Sequence, residues 1–221
     1  MAETGSYEHF LSKVEKKAVT RRYRKNELIF NEGEILDQIY ILNYGKVEVF
    51  KHTINWEERV IFILNDKSIL NEEILFSENS KASTCCRAFE DSEILSVSKV
   101  SLLREIQEDV RVMQYVFLNS SIKLRRTYRQ LKNSGTGLTI DKKILSKLFR
   151  LAMDFGIEKK GEIYIDVALT SVTLSRMVGA KRETVSRCIN RLKKDGLITI
   201  ESDKITITDF SLLSEMLNDN E

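Results

Sequence analysis

The chain contains no proline in 221 residues, where ordinary usage of about 5% would supply about 11. Polyproline linkers and Pro-rich recognition segments are therefore excluded, and turns fall to nine glycines with Asn, Asp and Ser. Cysteine is scarce too: Cys85, Cys86 and Cys188 make an odd count with one adjacent pair. That is neither a secreted disulfide framework nor a spaced metal or iron–sulfur pattern. Histidine occurs only as His9 and His52, too few for a His-rich metal site, and no metal or cofactor is expected. Apolar runs stop at a few residues, such as 60–64, far short of the roughly 20 that span a bilayer. Residues 1–10 lack the basic-then-apolar pattern of a secretory signal. The expected location is the cytoplasm, with no membrane partner. An excess of one charge is also missing: 35 Lys and Arg face 33 Asp and Glu, a net of +2. Any basic surface must therefore be local. What remains, 42% hydrophobic and 31% charged residues, can bury a core and does not read as disordered. The length allows one large or two small domains.

The chain changes character along its length. Residues 6–18 form a short helical pattern with Phe10, Leu11 and Val14 on one side. From Thr20 to about Lys99, short β-type runs (27–30, 38–42, 46–50, 59–64, 85–89 and 93–97) alternate with polar turns such as 31–34, 43–45 and 65–66. Spacings near ten residues predict an antiparallel sandwich or barrel. From Ser101 to about Asn133 the period turns helical, with Ile106, Val110, Met113, Phe117, Ser120, Leu124, Thr127 and Leu131 forming a heptad seam. Such a run, about 45 Å long at 1.5 Å per residue, is explained better by parallel pairing with a second copy than by an ordinary core helix. Lys123, Arg125, Arg126, Arg129 and Lys132 lie on the same stretch without an acid, as a solvated face or an anion site. Residues 133–137 (NSGTG) read as a hinge. A helix over 140–155 and a strand over 162–167 follow.

Residues 169–198 are the most informative. Thr170 is an N-cap candidate, and Leu174, Met177 and Val178 give one apolar face of a short helix. Gly179 permits a tight turn into a second helix, which turns Val185, Cys188, Ile189 and Leu192 inward and stops at Gly196. Runs 197–200 and 204–208 then alternate as two strands around Ser202 and Asp203. The pattern is a helix-turn-helix followed by a β-wing. Residues 170–194 hold seven basic side chains and a single acid, Glu183. Arg182, Glu183, Ser186 and Arg187 project opposite the apolar face, on the edge a recognition helix offers to the major groove of double-stranded DNA. Arg can grip guanine O6 and N7, and Glu can accept from cytosine N4. A lone carboxylate in a basic patch repels phosphate, so reading a base is the role that fits it.

On these residues the chain resembles the CRP/FNR family of bacterial transcription regulators. In the C-terminal part the resemblance rests on KRETVSR at 181–187, Gly179, Leu192 and GLI at 196–198. In the N-terminal part it rests on LIFNEG (28–33), IYIL (39–42) and GKVEV (45–49). It implies an α+β protein. An N-terminal antiparallel double-stranded β-roll, jelly-roll-like and of cyclic-nucleotide-binding type, would take residues 1–100. A long dimerisation helix would take 101–134, and a winged helix-turn-helix DNA-binding domain 135–221. It places Arg182, Glu183 and Arg187 at base-contacting positions and Ser186 at an accessory one, with Thr170, Ser171, Lys181 and Thr184 as further DNA-contacting candidates. The implied operator is an inverted repeat with TGTGA- or TTGA-like half-sites. The implied partners are DNA, a second copy, RNA polymerase if the protein activates, and a small-molecule effector.

The effector pocket departs from the family's cAMP pattern. Glu72 and Ser83 match, but Asn71 replaces a glycine and Ala82 the phosphate-binding arginine; Lys81 would face the other side of a strand. A buried cyclic phosphate needs a charge-assisted partner, so cAMP is not the expected effector. Thr84, Arg126, Thr127 and Tyr128 complete the candidate effector set, with Tyr128 filling the pocket or stacking on another ligand. Cys85 and Cys86 should face opposite sides of a strand, one thiol buried and one outer, and His52 should be a surface histidine. A cupin-like enzyme would need clustered His or carboxylate ligands, which two distant histidines argue against, so no catalysis is expected. A signalling module without a DNA role is disfavoured by the basic segment at 170–194.

Overall fold

The computed structural model describes residues 2–132 and 139–218, so the expected hinge at 133–137 lies outside the described residues. The chain divides into two compact units, Met1–Tyr128 and Arg129–Glu221.

The first unit opens with helix α1 (Ala2–Val14) and a 3₁₀ turn (Glu15–Lys17). Seven strands follow: β1 (Val19–Tyr23), β2 (Leu28–Phe30), β3 (Gln38–Tyr44), β4 (Lys46–His52), β5 (Glu58–Asn65), β6 (Cys85–Ala88) and β7 (Ser92–Ser98). They form two antiparallel sheets, ordered β1-β7-β3 and β2-β6-β4-β5. The period-2 runs make this possible: on β4, Val47 and Val49 join a core with Phe30, Ile39, Ile41 and Ile74. The β3–β4 turn needs glycine, because Gly45 has φ +95° and a Cβ there would lie 2.5 Å from Ser92 Oγ. Helix α1 closes the core with Tyr7, Phe10 and Val14, and Phe10 stacks on Tyr115 at 4.6 Å.

The single helix expected from Ser101 is two: α2 (Lys99–Glu108) and α3 (Val110–Lys132). The chain breaks at Asp109, which is extended (φ −139°, ψ 108°). Its Oδ1 accepts from the Arg111 N–H at 3.0 Å, capping α3, and its Oδ2 meets His9 Nε2 at 2.8 Å. The adjacent Arg111 guanidinium and N–H hold this carboxyl well below the usual carboxylate range. The seam also differs. Ser120 and Thr127 are half-buried, with Ser120 Oγ donating to Glu72 Oε1 at 3.5 Å and Thr127 Oγ1 to the Lys123 carbonyl at 3.0 Å. The exposed apolar stripe on α3 is Val110, Met113, Phe117, Leu124, Tyr128 and Leu131, and Phe117 is 70% exposed.

The second unit contains α4 (Ile140–Phe155), β8 (Gly156–Lys159), β9 (Glu162–Ala168), α5 (Ser171–Val178), α6 (Arg182–Lys194), β10 (Ile198–Glu201), β11 (Lys204–Ile207) and α7 (Phe210–Asn218). Its antiparallel sheet runs β10-β11-β9-β8. Ile144, Leu148, Leu174, Val185, Ile189, Ile205 and Leu213 are buried here, and Phe149 stacks on Phe210 at 4.7 Å. Strand β8 and helix α7 had no counterpart in the sequence reading.

Candidate nucleic-acid interface

Helix α5 begins where a cap satisfies its first amides: Thr170 Oγ1 accepts from the Thr173 N–H at 3.1 Å. It ends at Gly179, whose left-handed backbone (φ 66°, ψ 52°) only glycine adopts without strain. Two residues later α6 starts, with Lys181 at its N-cap. Its far end is a Schellman motif: Gly196 has φ +74°, its N–H donates to Lys193 at 3.2 Å, and the Leu197 N–H donates to Leu192 at 3.0 Å. The wing turn has positive φ at both Ser202 and Asp203, the conformation of a two-residue type I′ hairpin.

These local rules fix which face of α6 is free. Val185, Cys188, Ile189 and Leu192 are buried, while Arg182, Glu183, Arg187 and Asn190 are exposed; Thr184 and Ser186 are half-buried. Lys181 is exposed and Thr170 and Ser171 are half-buried. Among the described residues, Arg182, Glu183, Arg187 and Asn190 have no side-chain partner. Other charges of the unit do. Arg191 Nη2 lies 2.6 Å from Asp141 Oδ2, and Lys204 Nζ 2.6 Å from Asp166 Oδ1. The Arg191 guanidinium holds Asp141 low, and burial together with Asp141 pushes the Cys188 thiol up to about 12. Cys188 is therefore an inert core thiol. The free set is one anion among cations on a solvent-facing helix, a pattern suited to polyanion binding with base discrimination.

The effector candidates all lie in the first unit, most of them already engaged in protein contacts. Glu72 is buried, with Oε2 2.5 Å from Lys123 Nζ and Oε1 near Ser120. Lys123 Nζ also donates to the Ile69 carbonyl at 2.7 Å. Sequence reasoning missed this pair, since Lys123 read as part of a basic face. Asn71 is structural: it accepts from the Tyr40 N–H and donates to the Gln38 carbonyl, each at 2.9 Å. Ala82 is buried and Lys81 exposed. Ser83, exposed, donates to Glu73 at 2.9 Å, and Thr84 is half-buried. Arg126 Nη1 donates to the Ile63 carbonyl at 3.4 Å, and Tyr128 is 61% exposed rather than filling a pocket. His52 is exposed at the end of β4. The expected outer thiol is a correction: Cys85 is buried like Cys86, because the 31–33 turn covers it and the Glu32 N–H donates to its Sγ at 3.3 Å. Burial pushes the Cys86 thiol far up. Among the described residues no helix is long and apolar enough to cross a membrane.

Comparison with known proteins agrees with this arrangement. Residues 20–109 match the family described as cyclic nucleotide-binding domain, and residues 142–216 match the Crp-like helix-turn-helix domain. The chain is 28% identical over 198 residues to the "Anaerobic regulatory protein" of Bacillus subtilis (strain 168), covering 88% of this chain and 82% of that protein. It is 23% identical over 192 residues to the "CRP-like cAMP-activated global transcriptional regulator" of Mycobacterium tuberculosis (strain H37Rv), covering 87% and 85%. The solved structure of a CooA mutant from Carboxydothermus hydrogenoformans shares the fold with TM-score 0.78 at 20% identity, over 92% of this chain and 89% of that one.

Proposed function

The chain belongs to the CRP/FNR family of transcription regulators, and from that premise we propose that it works as a homodimer on an inverted-repeat operator. The observation that carries this reading is the exposed set Arg182, Glu183 and Arg187 on α6, unpaired among the described residues. In it, Arg182 and Arg187 grip guanine edges and Glu183 accepts from cytosine, with Ser186 assisting. Thr170, Ser171, Lys181 and Thr184 hold the DNA backbone. The half-sites are TGTGA- or TTGA-like. Residues 1–100 take the effector, 101–134 pair the two copies, and 135–221 bind DNA. The exposed stripe from Val110 to Leu131 supports pairing through α3, since a contiguous apolar face in water calls for a partner.

The effector is a molecule other than cAMP. Ala82 offers a cyclic phosphate no charge, and both Glu72 oxygens are already engaged inside the protein. An effector acts only by favouring the DNA-competent arrangement. The protein is cytoplasmic, catalyses no reaction and touches RNA polymerase if it activates. The test combines sedimentation with selection from a randomised inverted-repeat library, followed by calorimetry with cAMP. A dimer that enriches one repeat and takes up no cAMP supports the reading; a monomer that enriches nothing ends it.

A further inference from the structure

Asn190 was not singled out by the sequence, yet it lies in the middle of the free face of α6. At 100° per residue, the buried positions Val185, Cys188, Ile189 and Leu192 occupy one half of the helix, and Asn190 lies opposite them, between Ser186 and Arg187 in azimuth. It is exposed and has no side-chain partner among the described residues. Its neighbours further along are Arg191, Lys193 and Lys194, all basic. A face that only gripped phosphate would carry a cation here as well; the short neutral amide is the exception. Arg191, the next residue, is paired with Asp141 at 2.6 Å, while Asn190 stays exposed.

The spacing is informative. Glu183, Ser186, Arg187 and Asn190 stand at i, i+3, i+4 and i+7. That is the spacing of side chains that reach base edges from a helix lying along the major groove. Asn190 is about 10.5 Å from Glu183 along the helix axis at 1.5 Å per residue, about three base-pair steps. A carboxamide donates and accepts side by side, which matches adenine N6 and N7.

We propose that Asn190 is a further specificity-determining residue, reading an adenine about three base pairs from the pair read by Glu183. This rests on the DNA-binding reading above. The test is selection from a randomised duplex library with full-length wild type and Asn190→Ala, followed by affinities at several salt concentrations. Preference at one A·T pair per half-site is expected to collapse, with roughly 5- to 150-fold loss of discrimination there. The other pairs should keep theirs, and the salt slope should stay unchanged because no charge is lost. Two results overturn the proposal: unchanged preference at every pair, or a uniform loss across all sequences. A wild-type protein that enriches no sequence overturns the DNA-binding reading together with this one.

Discussion

At the scale of single residues, the exposed charges of α6 and the buried charges of the roll play opposite parts. Arg187 has no side-chain partner among the described residues, so Arg187→Ala should leave the fold intact. It is expected to remove about 1–3 kcal/mol of base discrimination in each half-site while a salt-sensitive residual affinity persists. Competition between operator and scrambled duplex measures it, and an unchanged ratio contradicts the role. Lys123 and Glu72 are both largely removed from water and satisfy one another. Lys123→Met strands a carboxylate in the core and is expected to cost roughly 3–5 kcal/mol in urea unfolding. Adding Glu72→Gln should recover most of that. A Lys123→Met loss below about 1 kcal/mol would show that the pair does not hold the roll to α3.

At the scale of elements, the α2–α3 break makes a pH-dependent junction. Asp109 has its pKa depressed by Arg111. Its cap therefore contributes fully above the unfolded value of about 3.9 and is lost as pH falls through the lower folded value. Hydrogen-exchange protection of the first turn of α3 should hold from pH 7 to about 4 and fall below that. Asp109→Ala should lower it from pH 7 to about 4, the two proteins converging as the pH falls further; equal protection at neutral pH contradicts the cap. This break was not legible in the sequence, because Ile106 and Val110 continue the helical period across it and the partners of Asp109, His9 and Lys13, lie about 100 residues upstream. Elements with a strong local period were legible: α4, α6 and strands β3 to β7 fall where apolar spacing puts them. Strand β8 was missed because all four of its residues are exposed and carry no alternation. The stripe through Tyr128 was misplaced by one position. Ser120 turns to Glu72 for a reason that only the folded roll supplies.

At the scale of the molecule, a net charge of +2 leaves no global positive field, so the basic surface offered to a polyanion must be local, as it is at residues 170–194. In the proposed dimer, one recognition helix gives a short contact and the second copy multiplies it by raising effective concentration. Phe117→Asp on the apolar stripe should yield a folded monomer in sedimentation and lower operator affinity by at least about 100-fold. A variant that stays dimeric places the interface elsewhere. Guanine-N7 methylation interference across the selected operator reports base-edge contact and twofold pairing together. Two symmetric patches of interference in the major groove, centred about 10 base pairs apart, are the expected result; a single patch, or binding indifferent to methylated guanine, would contradict it.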